Sequence, residues 1–557
     1  MGKEPYIFDA IVIGSGITGG WAAKELCERG LKTLLLERGR PVEHVKDYVT
    51  ASLPPWELEH RGRLTSDEIE KFRIQTRHFS IREETKHFFV NDLENPYHEQ
   101  QRYDWIRTDV LGGRSLLWGR MSFRWSDLDF EANAKDGHGI DWPIRYKDLA
   151  PWYEHVERFV GISGLAEGIP NLPDSLFQAP MELNCAEKFL KQKVESKFPE
   201  RHVIPGRVAN LTQKLPGRDA CQYRNLCDRG CPFGAYFSTQ SSTLPAAQKT
   251  GNLTVRTQSI ANRILFDEKT QQATGVEVID AENGRTYEYN AKIIFVNAST
   301  LASTHLLLNS QSNRFPTGMG NEHDIVGRFL MDHHRSGGVS GRFEGFEDKY
   351  HFGRKPVGFF IPRFVNYKGK EKDYIRGYNC QGNGNRDRNN NTDGIGEKLK
   401  QSLSEAGEWS IRMNAYGECL PYADNQATLH KNLKDKWGRP ALSVNASFKE
   451  NEKRMRDDAI TAMKEMMESA GAKEIKSLGN MSFIGNANHE MGTIRMGNDP
   501  KSSVLNKWNQ LHAVNNVFVT DGSCMTSSAS VNPSLTYMAL TARAVDYAIR
   551  ELRKGNI

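Results

Sequence analysis

The chain has 557 residues and only eight cysteines, and nowhere do two of them form a Cys-x-x-Cys pair, the spacing zinc sites most often use. Cys27, Cys185, Cys380, Cys419 and Cys524 stand far apart, unlike the dense disulfide framework of a small secreted domain. No apolar run reaches the ~18 residues that a membrane span needs. No block of five or more like charges occurs, and 74 Lys and Arg nearly cancel 69 Asp and Glu. The formal charge of +5 is therefore no nucleic-acid footprint. The opening "MGKEPYIFDAIVIGSG" lacks the basic stretch, apolar core and cleavage site of a signal peptide. The expectation is a soluble chain, whose export would require a partner or a removed leader. Internal repeats and heptads are absent too, and the length exceeds what one core usually supports, so two connected domains are expected.

What the chain does have begins at its amino terminus. "YIFDAIVIGSGITGGWAAKELCERGLKTLLLERG" reads as a buried strand (Ile7 to Ile13), a glycine turn, a helix (about Thr18 to Arg29) and a second strand ending at Glu37. Gly14, Gly16 and Gly19 fit GxGxxG: a tight turn, close approach of backbone to a pyrophosphate, and close packing of helix on strand. Glu37 is placed to accept both hydroxyls of an adenosine ribose. The amino-terminal position of the motif, with no second early nucleotide fingerprint, favours FAD over NAD. Arg38 and Arg40 follow, where either could meet a phosphate.

Near the other end stand "NHEMGTIRMG" (Asn488 to Gly497) and a strand (Val517 to Thr520), a turn at Asp521 and Gly522, and a helix entered through Asn532 and Pro533. The free N–H groups of that helix start can face an anion such as the N1/C2=O edge of a reduced flavin. With these motifs the sequence resembles the glucose-methanol-choline (GMC) oxidoreductases, which pair an early GxGxxG and Glu with a late HxxGTxRMG, a DGS turn and an NPxLT helix start. "WIRTDVLGGRSLLWGRMSFRW" (Trp105 to Trp125) and "IIFVNASTLASTHLLLNS" (Ile293 to Ser310) resemble two further family segments.

The resemblance implies an α/β Rossmann-like FAD domain joined to a discontinuous substrate domain built on an antiparallel sheet. It implies that His489 and Asn532 are the catalytic pair, a neutral imidazole to take the hydroxyl proton and an amide to hold that hydroxyl without adding charge. It places Gly112, Gly113, Ser115, Trp118, Asp521, Gly522, Ser534 and Thr536 against FAD, and Ala261 beside the adenine. Some sugar-oxidising members bond the flavin through a histidine in the glycine segment; Leu117 and Trp118 stand there in this chain, which implies noncovalent FAD.

"CQYRNLCDRGCPFGAY" puts Cys221, Cys227 and Cys231 within eleven residues, as CX5CX3CP. Zinc would want a fourth ligand from elsewhere, and three plain or partly paired thiols remain an alternative. Iron-sulfur runs often end in Cys-Pro, which Pro232 supplies. The pattern resembles the FAD subunits of bacterial sugar dehydrogenases, whose three cysteines hold a 3Fe-4S cluster; a four-iron cluster would need another ligand, with Asp228 or a remote cysteine as candidates. A cluster favours a dehydrogenase with an outside acceptor over an oxidase.

The FAD domain is expected from residues 1–45, 100–130, 205–330 and 480–557, and the substrate domain from 46–99, 131–204 and 331–479. Antiparallel strands are expected from about Gly337 to Cys380, a polar surface loop from Gly382 to Gly394, and core packing for Met463, Met466 and Met467 on a helix from Asn451 to Gly471. Gln381 and Asn383 are candidate sugar contacts, and His333 and His334 read as structural residues rather than metal ligands. The cysteine stretch and "LMDHHRSGG" resemble bacterial glucoside 3-dehydrogenase catalytic subunits, with gluconate 2-dehydrogenase-like and glucose dehydrogenase subunits close behind. These imply a glucoside substrate, a small accessory subunit carrying the export signal, a cytochrome c acceptor and a periplasmic location, with the cytoplasm otherwise. An oxygen-using pyranose oxidase-like enzyme and a non-catalytic flavoprotein assembly subunit are the competing readings.

Overall fold

The computed structural model describes residues 7–349, 357–388 and 394–557. Ile7–Ile13 forms the expected first strand, and its residues Ala10, Ile11 and Val12 are fully buried. Strands buried on both faces carry such unbroken apolar runs. It lies between the parallel strands Thr33–Leu36 and Thr286–Val296, with Leu253–Arg256 beyond Thr33–Leu36 and Val517–Val519 on the far side of Ile294 to Val296. Antiparallel strands Gln272–Asp280 and Ser259–Asp267 extend the sheet from the other half of Thr286–Val296. One long strand thus serves the nucleotide-type sheet at one end and the meander at the other. Helix Ile17–Glu28 packs on the sheet together with Ser534–Lys554, which starts straight after Pro533.

The second sheet is antiparallel throughout, in the order Lys473–Leu478, His334–Phe343, Ala406–Gly417, Tyr378–Arg388, Phe359–Ile361 and Ile204–Pro205. Helix Glu450–Ser469 covers one face, and Met463, Met466 and Met467 are fully buried there as expected, together with Met455. The expected polar loop is corrected in its first half. Gly382 to Arg388 continue a strand, with Asn383 opposite Arg412 and Asn385 opposite Ser410. The reason lies in the glycines: a Cβ on Gly382 would meet Phe359 at 2.3 Å, and one on Gly384 would meet Asn184 at 2.9 Å. Their spacing of two residues marks a strand face under close packing rather than a turn. Residues 389–393 of that stretch lie outside the described residues. Among the described residues no helix is long and apolar enough to cross a membrane.

Candidate active site

A cavity of about 850 Å³ runs between the two sheets. The glycine turn forms one wall. Gly14 takes φ +92°, and a Cβ there would meet the Asn297 carbonyl at 2.5 Å. A Cβ on Gly19 would strike the Gly14 carbonyl, so Gly19 serves helix packing and does not reach the cavity. Gly16 differs from both, because the space beside it is open. The first turn of helix Ile17–Glu28 therefore faces a void with its N–H groups uncovered, the form a pyrophosphate requires. Glu37 lines the same wall and accepts from the Gly39 N–H at 2.8 Å and the Ser15 N–H at 3.2 Å. Burial pushes its carboxyl up. Ala261 also lines the cavity, in the strand whose first residue, Ser259, donates its N–H to the Glu37 carbonyl at 2.8 Å. These residues fit the adenosine half of FAD.

Gly113, Ser115, Trp118, Asp521, Gly522 and Ser534 line the cavity as expected. Three expected contacts do not. Gly112 turns to Gln240 and donates its N–H to Ser15 Oγ at 2.7 Å, holding one glycine segment on the other. Thr536 is buried, with its hydroxyl 2.7 Å from that of Tyr153. Arg40 gives its guanidinium to the carbonyls of Pro41 and His87. Arg38 does reach the cavity, but its charge is met by Asp109 at 3.1 Å.

At the other end His489 and Asn532 come together, with Asn532 Nδ2 3.2 Å from His489 Nε2. Gln381 Nε2 donates to Asn532 Oδ1 at 3.1 Å, so this expected sugar contact also orients the amide, while Asn383 lines the cavity nearby. Sequence reasoning missed the support behind the pair. His333 Nδ1 lies 2.9 Å from His489 Nδ1, and His333 Nε2 lies 2.5 Å from the Ala529 carbonyl oxygen. A carbonyl only accepts, so His333 Nε2 carries a proton. Burial holds His333 down to about 4, hence neutral, which leaves its Nδ1 bare. That nitrogen can only accept the proton of His489 Nδ1. The Nε2 of His489 is then unprotonated and faces Asn532.

Asp332 locks the same unit. Its carboxylate accepts the N–H groups of His333 at 2.9 Å, Gly485 at 2.8 Å, Ala487 at 3.1 Å and His489 at 2.9 Å. Burial and then Glu490 push Asp332 up to about 7 despite these donors. Glu490 is held in turn by both terminal nitrogens of Arg114, at 3.0 and 2.6 Å, so the glycine segment is tied to the residue after His489. Loss of solvent, then His333 and Arg114, drive the His489 pKa well below its usual value. The only sequence signal for this support was the Asp-His-His run itself, which packing explained equally well.

The three neighbouring cysteines are free, like the other five, so the disulfide reading fails. Among the described residues no group of three or more His, Cys, Asp or Glu converges on a single ion. Cys227 lines the cavity, and burial pushes the Cys221 and Cys227 thiols up, with Cys231 adding to the rise of both. Asp228, one of the two candidate fourth ligands, is ion-paired with Arg82. Two buried guanidinium groups lie by the thiols, and among the described residues neither has a carboxylate partner. Arg120 acts on Cys221 and Cys227, and its Nε has no hydrogen-bond partner. Arg218 donates only to carbonyl oxygens, those of Gly234 at 2.9 Å, Val160 at 2.7 Å and Phe159 at 3.4 Å; burial lowers its pKa to about 10, and Cys231 opposes that fall. Buried cations call for an anion, and thiolates bound to metal would supply it.

Residues 8–335 and 421–541 match the amino- and carboxy-terminal family models described as GMC oxidoreductase. The chain is 30% identical to 2-methyl-1,2-propanediol dehydrogenase of Mycolicibacterium austroafricanum, over 97% of this chain and 95% of that protein. It is 25% identical to the fructose dehydrogenase large subunit of Gluconobacter japonicus over 100% of both chains. It is 24% identical to the gluconate 2-dehydrogenase flavoprotein of Pantoea cypripedii, over 98% and 93%. The solved structure of pyridoxine 4-oxidase from "Mesorbium loti" superposes with a TM-score of 0.62 at 15% identity, covering 97% of this chain and 99% of that one, a likeness of fold.

Proposed function

Because the chain belongs to the GMC oxidoreductase family, whose members bind FAD, we propose that it is a sugar dehydrogenase oxidising the C3 hydroxyl of glucosides or disaccharides to 3-keto products. The observation that carries the reading is the bare Nε2 of His489 beside Asn532, on a cavity that also holds the glycine turn and Cys227. FAD, when bound, accepts the two electrons of the alcohol as hydride. Asn532 offers its amide to the substrate hydroxyl, and His489 Nε2 takes the hydroxyl proton. The amides of Gln381, Asn383 and Asn414 line this end of the cavity and supply the fixed polar groups that a polyhydroxylated substrate needs.

Cys221, Cys227 and Cys231 are the residues that would hold a 3Fe-4S cluster, which would supply one-electron transfer toward a cytochrome c-type acceptor. The unpaired charges of Arg120 and Arg218 support an anionic group there. A small signal-bearing subunit and a periplasmic location complete the reading. Iron, acid-labile sulfide and EPR on anaerobically purified protein, with product identification from methyl glucoside, glucose and cellobiose, test it. Iron-free protein making peroxide from the sugar would replace it with an oxidase; a flavin that no sugar bleaches would end it.

A further inference from the structure

The strand His334–Phe343 carries Arg335, and its neighbour Ala406–Gly417 carries Arg412, Asn414 and Tyr416 at every second position. Such residues share one face. Arg335, Asn414 and Tyr416 line the active-site cavity. Arg335, Asn414 and Asn486 also line a second pocket of about 270 Å³ beside it, together with Arg412, Arg77 and Arg102. The one carboxylate on that pocket, Asp104, is already committed: Arg77 reaches it at 3.3 Å, Arg102 at 3.0 Å, and the Asn486 amide at 3.0 Å. Arg77 is further held by Glu99 at 2.6 Å. Arg335 and Arg412 have no carboxylate within ion-pair distance among the described residues. Arg335 instead lies over the exposed ring of Phe79, 5.5 Å from its centre. The pocket thus presents two unmatched guanidinium groups on a wall continuous with the one that holds Gln381 and Asn532.

We infer that this antechamber binds an oxyanion on the substrate, so that the enzyme prefers a polyol bearing a carboxylate or phosphate at the end remote from the reacting hydroxyl. The inference rests on the hydroxyl-oxidising reading above and narrows its substrate class. Guanidinium groups match both oxyanions through paired N–H donors, and such charge-assisted bonds are about twice as strong as neutral ones. The same charges oppose a cationic alcohol.

The test uses the FAD-loaded full chain at fixed ionic strength, since charge at a pocket mouth is screened by salt. Perturbation of the oxidised flavin spectrum is titrated with D-gluconate, D-glucose 6-phosphate and the neutral D-glucitol. One or both acids are expected to saturate at about 10-fold or more lower concentration than glucitol; whichever does so names the oxyanion. The margin should shrink in Arg412→Gln and vanish in Arg335→Gln/Arg412→Gln. Arg412 is exposed, so the single variant tests the idea even should the double variant fold poorly. Equal saturation by glucitol, or a margin that survives Arg412→Gln undiminished, overturns the inference. Flavin bleaching by neutral glucosides without any acid preference overturns it while leaving the reaction standing. Arginine-dependent acid binding with no bleaching by any polyol supports the pocket and removes the reaction.

Discussion

His489 supplies a proton acceptor only while its Nε2 is bare, and two residues determine that. His489→Ala should slow flavin reduction by about 100-fold or more, the usual worth of a positioned base, with FAD content unchanged. Stopped-flow reduction reads this, and an unaltered rate removes His489 from the chemistry. His333→Leu deletes the acceptor for His489 Nδ1–H, so the imidazole can turn its proton toward the substrate. We expect kcat to fall about 10-fold or more, within the range typical of acid-base catalysis. Because His333 is one of the groups that lower the His489 pKa, the acid limb of the kcat profile should also move to higher pH. A merely structural His333 would leave that limb in place. His489 and Asn532 were legible as motif positions. His333 was not, because sequence alone does not say which way each of two adjacent histidines points, and only the tertiary fold shows that His333 meets His489 while His334 lies 3.2 Å from the Met455 sulfur.

Among elements, the turn from Gly14 to Gly19 was the most readable, since each glycine answers a different steric demand. Those demands separate experimentally. Gly16→Ala adds a methyl group to open space at φ −64°, so the FAD-free protein should keep its melting temperature while FAD affinity falls, as calorimetry and flavin retention would report. Gly14→Ala puts a Cβ at positive φ against the Asn297 carbonyl, and should cost about 1–3 kcal/mol of stability whether or not FAD is added. If both variants lose only FAD, the steric distinction is wrong. The strand Tyr378–Arg388 was half misread, because Gly, Asn and Asp rich sequence signals turns by local propensity, whereas close packing on Phe359 and Asn184 overrode it.

The whole molecule holds an opposed set of buried titrating groups. His78, His305 and His334 are pushed down to about 3 and His333 to about 4, each chiefly by burial. The unfolded chain binds protons on them below about pH 6.5, so each removes about 1.4 kcal/mol per pH unit as pH falls from there toward its folded value. Asp129, Asp332 and Glu418 are pushed up to about 6, 7 and 7, again chiefly by burial. The folded chain takes up these protons first, so their contribution grows as pH falls from 7 toward the unfolded values near 4. The histidines outweigh the carboxyls, because His87 at about 4 and His489 join the four, so the urea midpoint should fall from pH 6.5 to about 4.5, by less than the histidines alone would give. Below about pH 4 the carboxyl gain is complete while the histidine loss continues, and Glu25, held at about 2 by His155, Lys24 and Arg29 against its burial, adds to the fall. A midpoint that stays flat from pH 6.5 to about 4.5 would show that the folded chain does not hold these histidines neutral.

The amino-acid sequence alone determined the nucleotide-type turn, the acid that follows it, the late histidine and asparagine, and the three clustered cysteines, because each of these is a short motif whose chemistry depends on local spacing. The tertiary structure decided what distance in sequence conceals. It brought His333 to His489 across 156 residues, set Gln381 on Asn532, surrounded the thiols with the unpaired Arg120 and Arg218, and left Arg335 and Arg412 unmatched beside the active site. Protonation states and charge balance depend on burial and on partners, and both exist only once the sheets have packed.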